Sequence, residues 1–288
     1  MLARGPEILI EARAAARAVP AFTVNTLESI RAVGDAAEHA GLPVILQAGS
    51  GSCRETPRPM LATAALAAAR AAAVPVGVHL DHSTDLAEIR DCLARGYTSV
   101  MVDGSHLPLD ENVALTRTVV GEAHHAGAWV EAEIGALVGG EDASTGAKAV
   151  SLAEPDHARE LVERTGVDAL ATAVGTVHGF TTEPLTIDLD RLCTIAEVTS
   201  IPQVLHGASG LADSQLRAAV DAGVAKVNIS AELRRAFLAA RGAALAQTSD
   251  HIRQLQRAAV TAMADVAGDR LTLLGRPAPD GYAGKELR

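Results

Sequence analysis

At 288 residues, 48% hydrophobic and 21% charged, the chain has the make-up of a globular protein with ample material for a buried core. A formal net charge of −10 argues against nucleic acid or an anionic membrane surface as its main partner. Three scattered cysteines, Cys53, Cys92 and Cys193, fit neither a disulfide framework nor a paired zinc motif, and point to a reducing cytoplasm. Glu7, Glu11, Arg13 and Arg17 interrupt the apolar positions near the start, so no secretory leader is expected. Residues 64–73 are apolar but alanine-rich, contain Arg70 and are too short to span a bilayer.

In chain order, periodicity predicts a helix over residues 5–19, with Ile8, Ala12 and Ala15 or Ala16 on one face. Residues 20–24 read as a first strand, and residues 27–40 as a helix stopped by Gly41. A second strand over 43–47, a flexible loop over 49–52 and a helix over 58–72 follow. The third strand, 74–78, runs into His79-Leu80-Asp81-His82-Ser83. There Ser83 reads as the cap of a helix over 83–95, which would end the extended chain. Next come a strand over 98–102, a helix capped by Asp110 and reaching Ala126, and a strand over 129–134.

Residues 135–151, with Gly139-Gly140-Glu141-Asp142, form the longest irregular stretch, a length typical of a functional lid or a disordered segment. Helices over 154–164, 188–198 and 213–222 then alternate with strands over 167–171, 202–205 and 225–229. Helices over 231–246 and 251–266 lead to a polar tail from about residue 275. Eight buried strands alternating with helices predict a parallel α/β sheet closed into a (β/α)8 barrel, with an N-terminal helix and extra C-terminal helices. No shift in composition marks a boundary, so residues 1–288 are expected to form one domain.

Three histidines stand at strand ends on this reading: His82 after strand three, His178 after strand six and His206 after strand seven. A lone histidine is more often structural, but three at corresponding ends of a barrel converge on its mouth, where barrel active sites lie. Three imidazoles leave zinc an open coordination position. Asp81, beside one of them, is a candidate general acid/base, or else a cap or a partner that orients an imidazole. Asp103 and Glu133 bring further carboxylate to the mouth, to bind cation or to pair with Arg or Lys. Glu141, in the long glycine-rich loop, can be swung over substrate or simply solvated. Gly207-Ala208-Ser209-Gly210 after strand seven and Asn228-Ile229-Ser230-Ala231 after strand eight fit a phosphate site made of backbone amides and a helix N-terminus. His124, His125, His157 and His251 fall in predicted helices and read as solvated.

The runs HLDHS (79–83), MVDGSH (101–106), VEAEIG (130–135), VGTVHG (174–179), VLHGASG (204–210) and KVNISAEL (226–233) together resemble the class II, zinc-dependent ketose-bisphosphate aldolases of the fructose- and tagatose-bisphosphate type. The likeness covers residues 5 to about 267. It implies a reversible retro-aldol cleavage of a ketose (bis)phosphate to dihydroxyacetone phosphate and an aldehyde such as glyceraldehyde 3-phosphate. On that resemblance, zinc falls to His82, His178 and His206, with secondary cation positions at Asp103 and Glu133. Proton transfer falls to Asp81, and exchange of the carbon-bound proton to Glu141. Phosphate and dihydroxyacetone contacts fall to Gly179, Gly207, Ala208, Ser209, Asn228, Ile229, Ser230 and Ala231, with a monovalent cation (Na⁺ or K⁺) assisting. A homodimer or homotetramer is implied, with no nucleic-acid or membrane partner.

The chain departs from the family pattern at Thr23, where Asn is usual, at Gly49, often Ser, and at Ala231, usually Thr. Each change removes or shortens a polar group near the site. Two other functions use some of the same residues. A barrel hydrolase would employ zinc-bound water on the same imidazoles, and a non-catalytic sugar-phosphate-binding relative would keep only the fold.

Overall fold

The computed structural model describes residues 1–136, 151–181, 185–248 and 251–276, the side chains of residues 55 and 248 excepted. Strand β1 (Val19–Thr23) pairs in parallel with β2 (Val44–Ala48), and β2 with β3 (Val76–Ser83). The ladder continues through β4 (Ser99–Val102), β5 (Trp129–Ile134), β6 (Ala169–Thr172), β7 (Gln203–Leu205) and β8 (Val224–Ile229). Strand β8 returns to β1, with Val19 opposite Lys226 and Ala21 opposite Asn228, and closes the barrel. The (β/α)8 architecture and the order of its strands are those expected from the sequence.

Every residue of β1, β2 and β4 to β8 is buried, as a parallel sheet covered on one side by helices and filled on the other requires. Helix α1 (Glu7–Ala14) brings Leu9 and Ala12 against Val19, Trp129, Ala169 and Ala225, which lie at the beginnings of their strands. It therefore covers the amino end of the barrel, and the carboxyl ends are left for a site. On the outside, alanines such as Ala32, Ala36 and Ala37 on α2 (Leu27–Ala40), with Ala62, Ala65 and Ala69 on α4 (Arg58–Ala71), join one continuous core with the strands. Small side chains on these faces suit a chain with 2% aromatics.

Local signals set most helix limits. Thr26 accepts from the Ser29 amide and Ser29 Oγ accepts from the Thr26 amide, a reciprocal cap that starts α2, while Gly41 ends it with φ 67°. After the short α3 (Ser52–Glu55), helix α5 (Leu86–Arg95) is capped by Asp85, whose Oδ1 accepts the Ala87 amide at 2.8 Å. Helices α6 (Leu109–His125), α7 (Pro155–Thr165), α8 (Leu189–Thr199) and α9 (Asp213–Asp221) fill the remaining crossovers. The chain then runs through α10 (Ala231–Thr248) and α11 (Ile252–Gly275), which pack on each other, with α11 also covering α2. None of the described helices is long and apolar enough to cross a membrane.

Three expectations need correction. Ser83 is no helix cap: it ends β3, because the strand runs five residues past Val78 and Asp85 takes the capping role. Asp110 lies within the first turn of α6 rather than before it, where its charge faces the positive end of the helix. Helix α11 continues to Gly275, nine residues past the predicted end, on a buried stripe of Met263, Ala267, Leu271 and Leu274. The expected tail from residue 277 onward lies outside the described residues.

Candidate metal centre and active site

The carboxyl end of β3 is irregular where the site begins. Pairing with β4 slips between Leu80 and Ser83, and His82 takes a positive φ of 41°, uncommon for a residue with a Cβ. Strict alternation would send Asp81 and His82 to opposite faces. The bulge instead turns both toward one cavity of about 460 Å³ at the mouth, while His79 points into the barrel, fully buried.

His178, in the loop after β6, and His206, directly after β7, meet His82 there. The ring centroids of His82 and His206 are 4.7 Å apart, those of His82 and His178 5.2 Å, and those of His178 and His206 5.9 Å. One nitrogen from each of the three lies within 4.8 Å of the others. His82 Nδ1 is 3.0 Å from Asp103 Oδ2 and 3.5 Å from Glu133 Oε2. His206 Nε2 is 2.8 Å from Glu131 Oε1. A carboxylate accepts, so Nδ1 of His82 and Nε2 of His206 are assigned as the hydrogen-bearing nitrogens. Asn228 Nδ2 also lies 3.1 Å from His206 Nε2, but the carboxylate contact at 2.8 Å is the shorter, and the Asn228 amide donates to Asp81 instead. The other nitrogens of the two rings then face each other, His82 Nε2 to His206 Nδ1, at 2.9 Å. Two lone pairs at that distance repel unless a proton or a cation lies between them. With His178 beside them, these donors fit a zinc ion.

The electrostatics agree. Burial disfavours a charged His82, but the Asp103 hydrogen bond and the charges of Asp81 and Glu133 push it up to about 10. Asp103 is held well below the carboxylate range despite its burial, by the His82 hydrogen bond first. Burial and the neighbouring His82 and His206 drive His178 down to about 3, so this ring is neutral over the physiological range. Glu133 is pushed well above its ordinary value by burial, reinforced by the Asp103 charge. Among the described residues Asp103 and Glu133 meet no Arg or Lys; both turn to His82, and the three also form a second group spaced to share a cation.

Asp81 sits between two side-chain amides. Gln47 Nε2 donates to its Oδ2 at 2.9 Å and Asn228 Nδ2 to its Oδ1 at 3.2 Å. Thr23 Oγ1 accepts from Gln47 Nε2 at 3.4 Å, so strands β1, β2 and β8 combine to fix one carboxylate of β3. Two donors on its two oxygens fix the carboxylate's orientation in the cavity. Gln47 Oε1 and Asn228 Oδ1 are buried without a protein partner.

The cavity is also lined by Gly179, Gly207, Ala208, Ser209, Asn228, Ser230 and Ala231, all anticipated for phosphate. Helix α10 starts at Ala231 and presents its amino end to the cavity, the polarity an anion needs. The Ile229 side chain is 2% exposed, belongs to the core and is turned away from the cavity by strand alternation, which leaves only its backbone for the contact expected there. Glu141 lies outside the described residues. Gln47, Glu131 and Lys226, together with Arg54 and Arg234 on the cavity wall, escaped the sequence reading. A signal existed for the first three: each is a polar residue interrupting a strand that is otherwise almost wholly apolar.

Fold and site together define a (β/α)8 barrel with a three-histidine, carboxylate-flanked cavity at its carboxyl face. The description "Fructose-bisphosphate aldolase class-II" matches residues 4–277, and the chain belongs to that family. Among solved structures, the YdjI aldolase of Escherichia coli K12 is 32% identical, with a TM-score of 0.84 over 93% of this chain and 95% of that one. A candidate fructose-1,6-bisphosphate aldolase from Coccidioides immitis is 31% identical, with a TM-score of 0.87 over 94% and 96%. The fructose-bisphosphate aldolase Fba of Campylobacter jejuni, 21% identical with a TM-score of 0.77 over 93% of each chain, shares the fold.

Proposed function

We propose that this protein is a zinc-dependent aldolase that reversibly cleaves a ketose phosphate into dihydroxyacetone phosphate and an aldehyde. Carrying the reading is the convergence, in one cavity, of three imidazoles with an Asp81 carboxylate held by two amides. Zinc would be held by His82, His178 and His206, and when bound would supply Lewis acidity toward the substrate's ketone and hydroxyl oxygens.

In the cleavage direction Asp81 accepts the proton of the C4 hydroxyl. The C3–C4 bond breaks, C4 leaves as the aldehyde carbonyl, and the bonding electrons pass toward the ketone. Return of a proton to C3 completes dihydroxyacetone phosphate, a task the family likeness gives to Glu141. Gln47 and Asn228 keep Asp81 aimed. Backbone amides around Gly207 to Ser209 and at the start of α10 hold the phosphate, with Gly179, Asn228 and Ser230 alongside; Na⁺ or K⁺, when bound, would add positive charge there, and Asp103 and Glu133 offer a secondary cation position. We further read residues 1–288 as a single domain, acting in the cytoplasm as a homodimer or homotetramer.

Turnover of a panel of ketose mono- and bisphosphates, with and without zinc, tests the reading. Zinc-dependent release of dihydroxyacetone phosphate is expected. Cleavage by metal-free protein, or a lysine adduct trapped by borohydride, would replace it with Schiff-base chemistry. No observation favours a zinc hydrolase or a non-catalytic sugar-phosphate binder over this chemistry.

A further inference from the structure

A second polar layer lies inside the barrel beneath the three imidazoles. Lys226 of β8, Glu131 of β5 and His79 of β3 all have no solvent exposure. Lys226 Nζ donates to Glu131 Oε2 at 2.7 Å, and the other oxygen of Glu131 receives His206 Nε2 at 2.8 Å. His79 completes the packing: its Nδ1 pairs with Ser99 Oγ at 2.8 Å, its ring stacks on Trp129 at 5.4 Å, and its Nε2 lies 3.6 Å from Glu131 Oε2. A buried ion pair of this kind is a poor stabiliser, since apolar side chains of the same volume commonly do as well or better. Its geometry supplies another reason for it.

We propose that Glu131, seated by Lys226, is a positioning residue that fixes the His206 ring with hydrogen on Nε2 and the Nδ1 lone pair turned to the cavity. Imidazole has two near-equivalent tautomers, and only one offers Nδ1 to a cation. Both oxygens of Glu131 are engaged, one by Lys226 and one by His206, so the carboxylate cannot turn away without leaving a buried donor unpaired. The ring is thereby held in orientation and in tautomer before any ion arrives. An orienting carboxylate behind a metal-bound histidine commonly changes metal affinity roughly 10–100-fold when removed. This inference rests on the reading of His206 as a zinc ligand.

Two paired substitutions separate positioning from plain packing. Glu131→Leu with Lys226→Met removes the acceptor and leaves no unpaired charge. Glu131→Gln with Lys226→Met also removes both charges but keeps an amide oxygen for His206. Zinc affinity is measured by competition with a chromophoric chelator, and the His206 tautomer by long-range ¹H–¹⁵N NMR of metal-free protein labelled at histidine and carrying His82→Ala, so that no protonated His82 ring donates to His206 Nδ1. The Leu/Met protein should bind zinc roughly 10–100-fold more weakly and show a mixed His206 tautomer. The Gln/Met protein should recover most of the affinity and the Nε2–H form. Unchanged affinity and tautomer in the Leu/Met protein would reduce the pair to core packing. Should that variant not fold, the protein carrying His82→Ala alone still decides, since a His206 ring protonated on Nδ1 there contradicts the proposal. The tautomer readout does not depend on zinc, so an unaltered zinc affinity in His206→Ala would overturn the ligand assignment separately.

Discussion

His82 and His206, 124 residues apart in the chain, face each other through Nε2 and Nδ1 at 2.9 Å, each anchored from behind by a carboxylate, Asp103 just past β4 and Glu131 within β5. A proton can bridge the pair, but a zinc ion sharing His178 would satisfy all three rings. Purified metal-free protein should therefore take up one zinc per chain, and His206→Ala should lose it. Ligand linkage raises stability by about 2.7 kcal/mol at a concentration of 100 Kd. A zinc-dependent rise in the melting midpoint, absent in His206→Ala, is the expected result, and equilibrium dialysis with elemental analysis checks the stoichiometry.

Asp81 lines the cavity and touches neither Asp103 nor the zinc-facing nitrogens of the imidazole pair through any hydrogen bond described; its partners are Gln47 and Asn228. Asp81→Ala should keep zinc and lose roughly two to four orders of magnitude in cleavage rate, the usual size of a general acid/base contribution. Gln47→Leu should keep zinc too. It removes a hydrogen bond to a charged group worth roughly 1.5–3 kcal/mol, so a slowing of about tenfold or more is expected. Normal turnover by the Asp81 variant would move proton transfer elsewhere.

Gly207 has φ 66°, and a methyl group on its Cα would lie 2.5 Å from the Val177 carbonyl oxygen. The loop carrying His206 thus passes against the loop carrying His178 with no room for a side chain. Gly207→Ala should cost at least about 1 kcal/mol for the left-handed backbone alone, with a further loss from the clash. Urea denaturation of the metal-free protein measures it, and a parallel loss of zinc affinity is expected because both ligand loops must shift.

Most of the fold was legible because each strand is a short apolar run and each crossover a helix with recognisable limits, such as Gly41 at the end of α2. The three histidines were legible because each comes at or shortly after the carboxyl end of such a run. The bulge at His82 was not: it depends on how β3 pairs with β4, a long-range relation that no local propensity encodes, and Ser83 imitates a cap. Gln47 and Glu131 were invisible as partners for a related reason. Each acts through a side chain of a different strand, and only barrel closure brings Gln47 to Asp81 and Glu131 to Lys226.

Ala231 opens α10 at the cavity wall and has no hydroxyl to offer a phosphate oxygen. Backbone amides at this helix end remain, so phosphate binding is expected to be weakened rather than lost. Ala231→Thr should tighten dihydroxyacetone phosphate binding by about tenfold, which is roughly 1.4 kcal/mol. Calorimetric titration of both proteins decides. An unchanged constant would mean that the departure from the family residue is neutral.

Zinc-dependent release of dihydroxyacetone phosphate is the most direct measurement of the central claim. The protein is stripped with chelator, offered each member of a panel of ketose mono- and bisphosphates, and assayed before and after one equivalent of zinc is restored. Cleavage of at least one phosphorylated ketose is expected only after zinc returns, with dihydroxyacetone phosphate and aldehyde formed in equal amounts. Undiminished cleavage by the stripped protein, or no cleavage of any member by the zinc-loaded one, would contradict it.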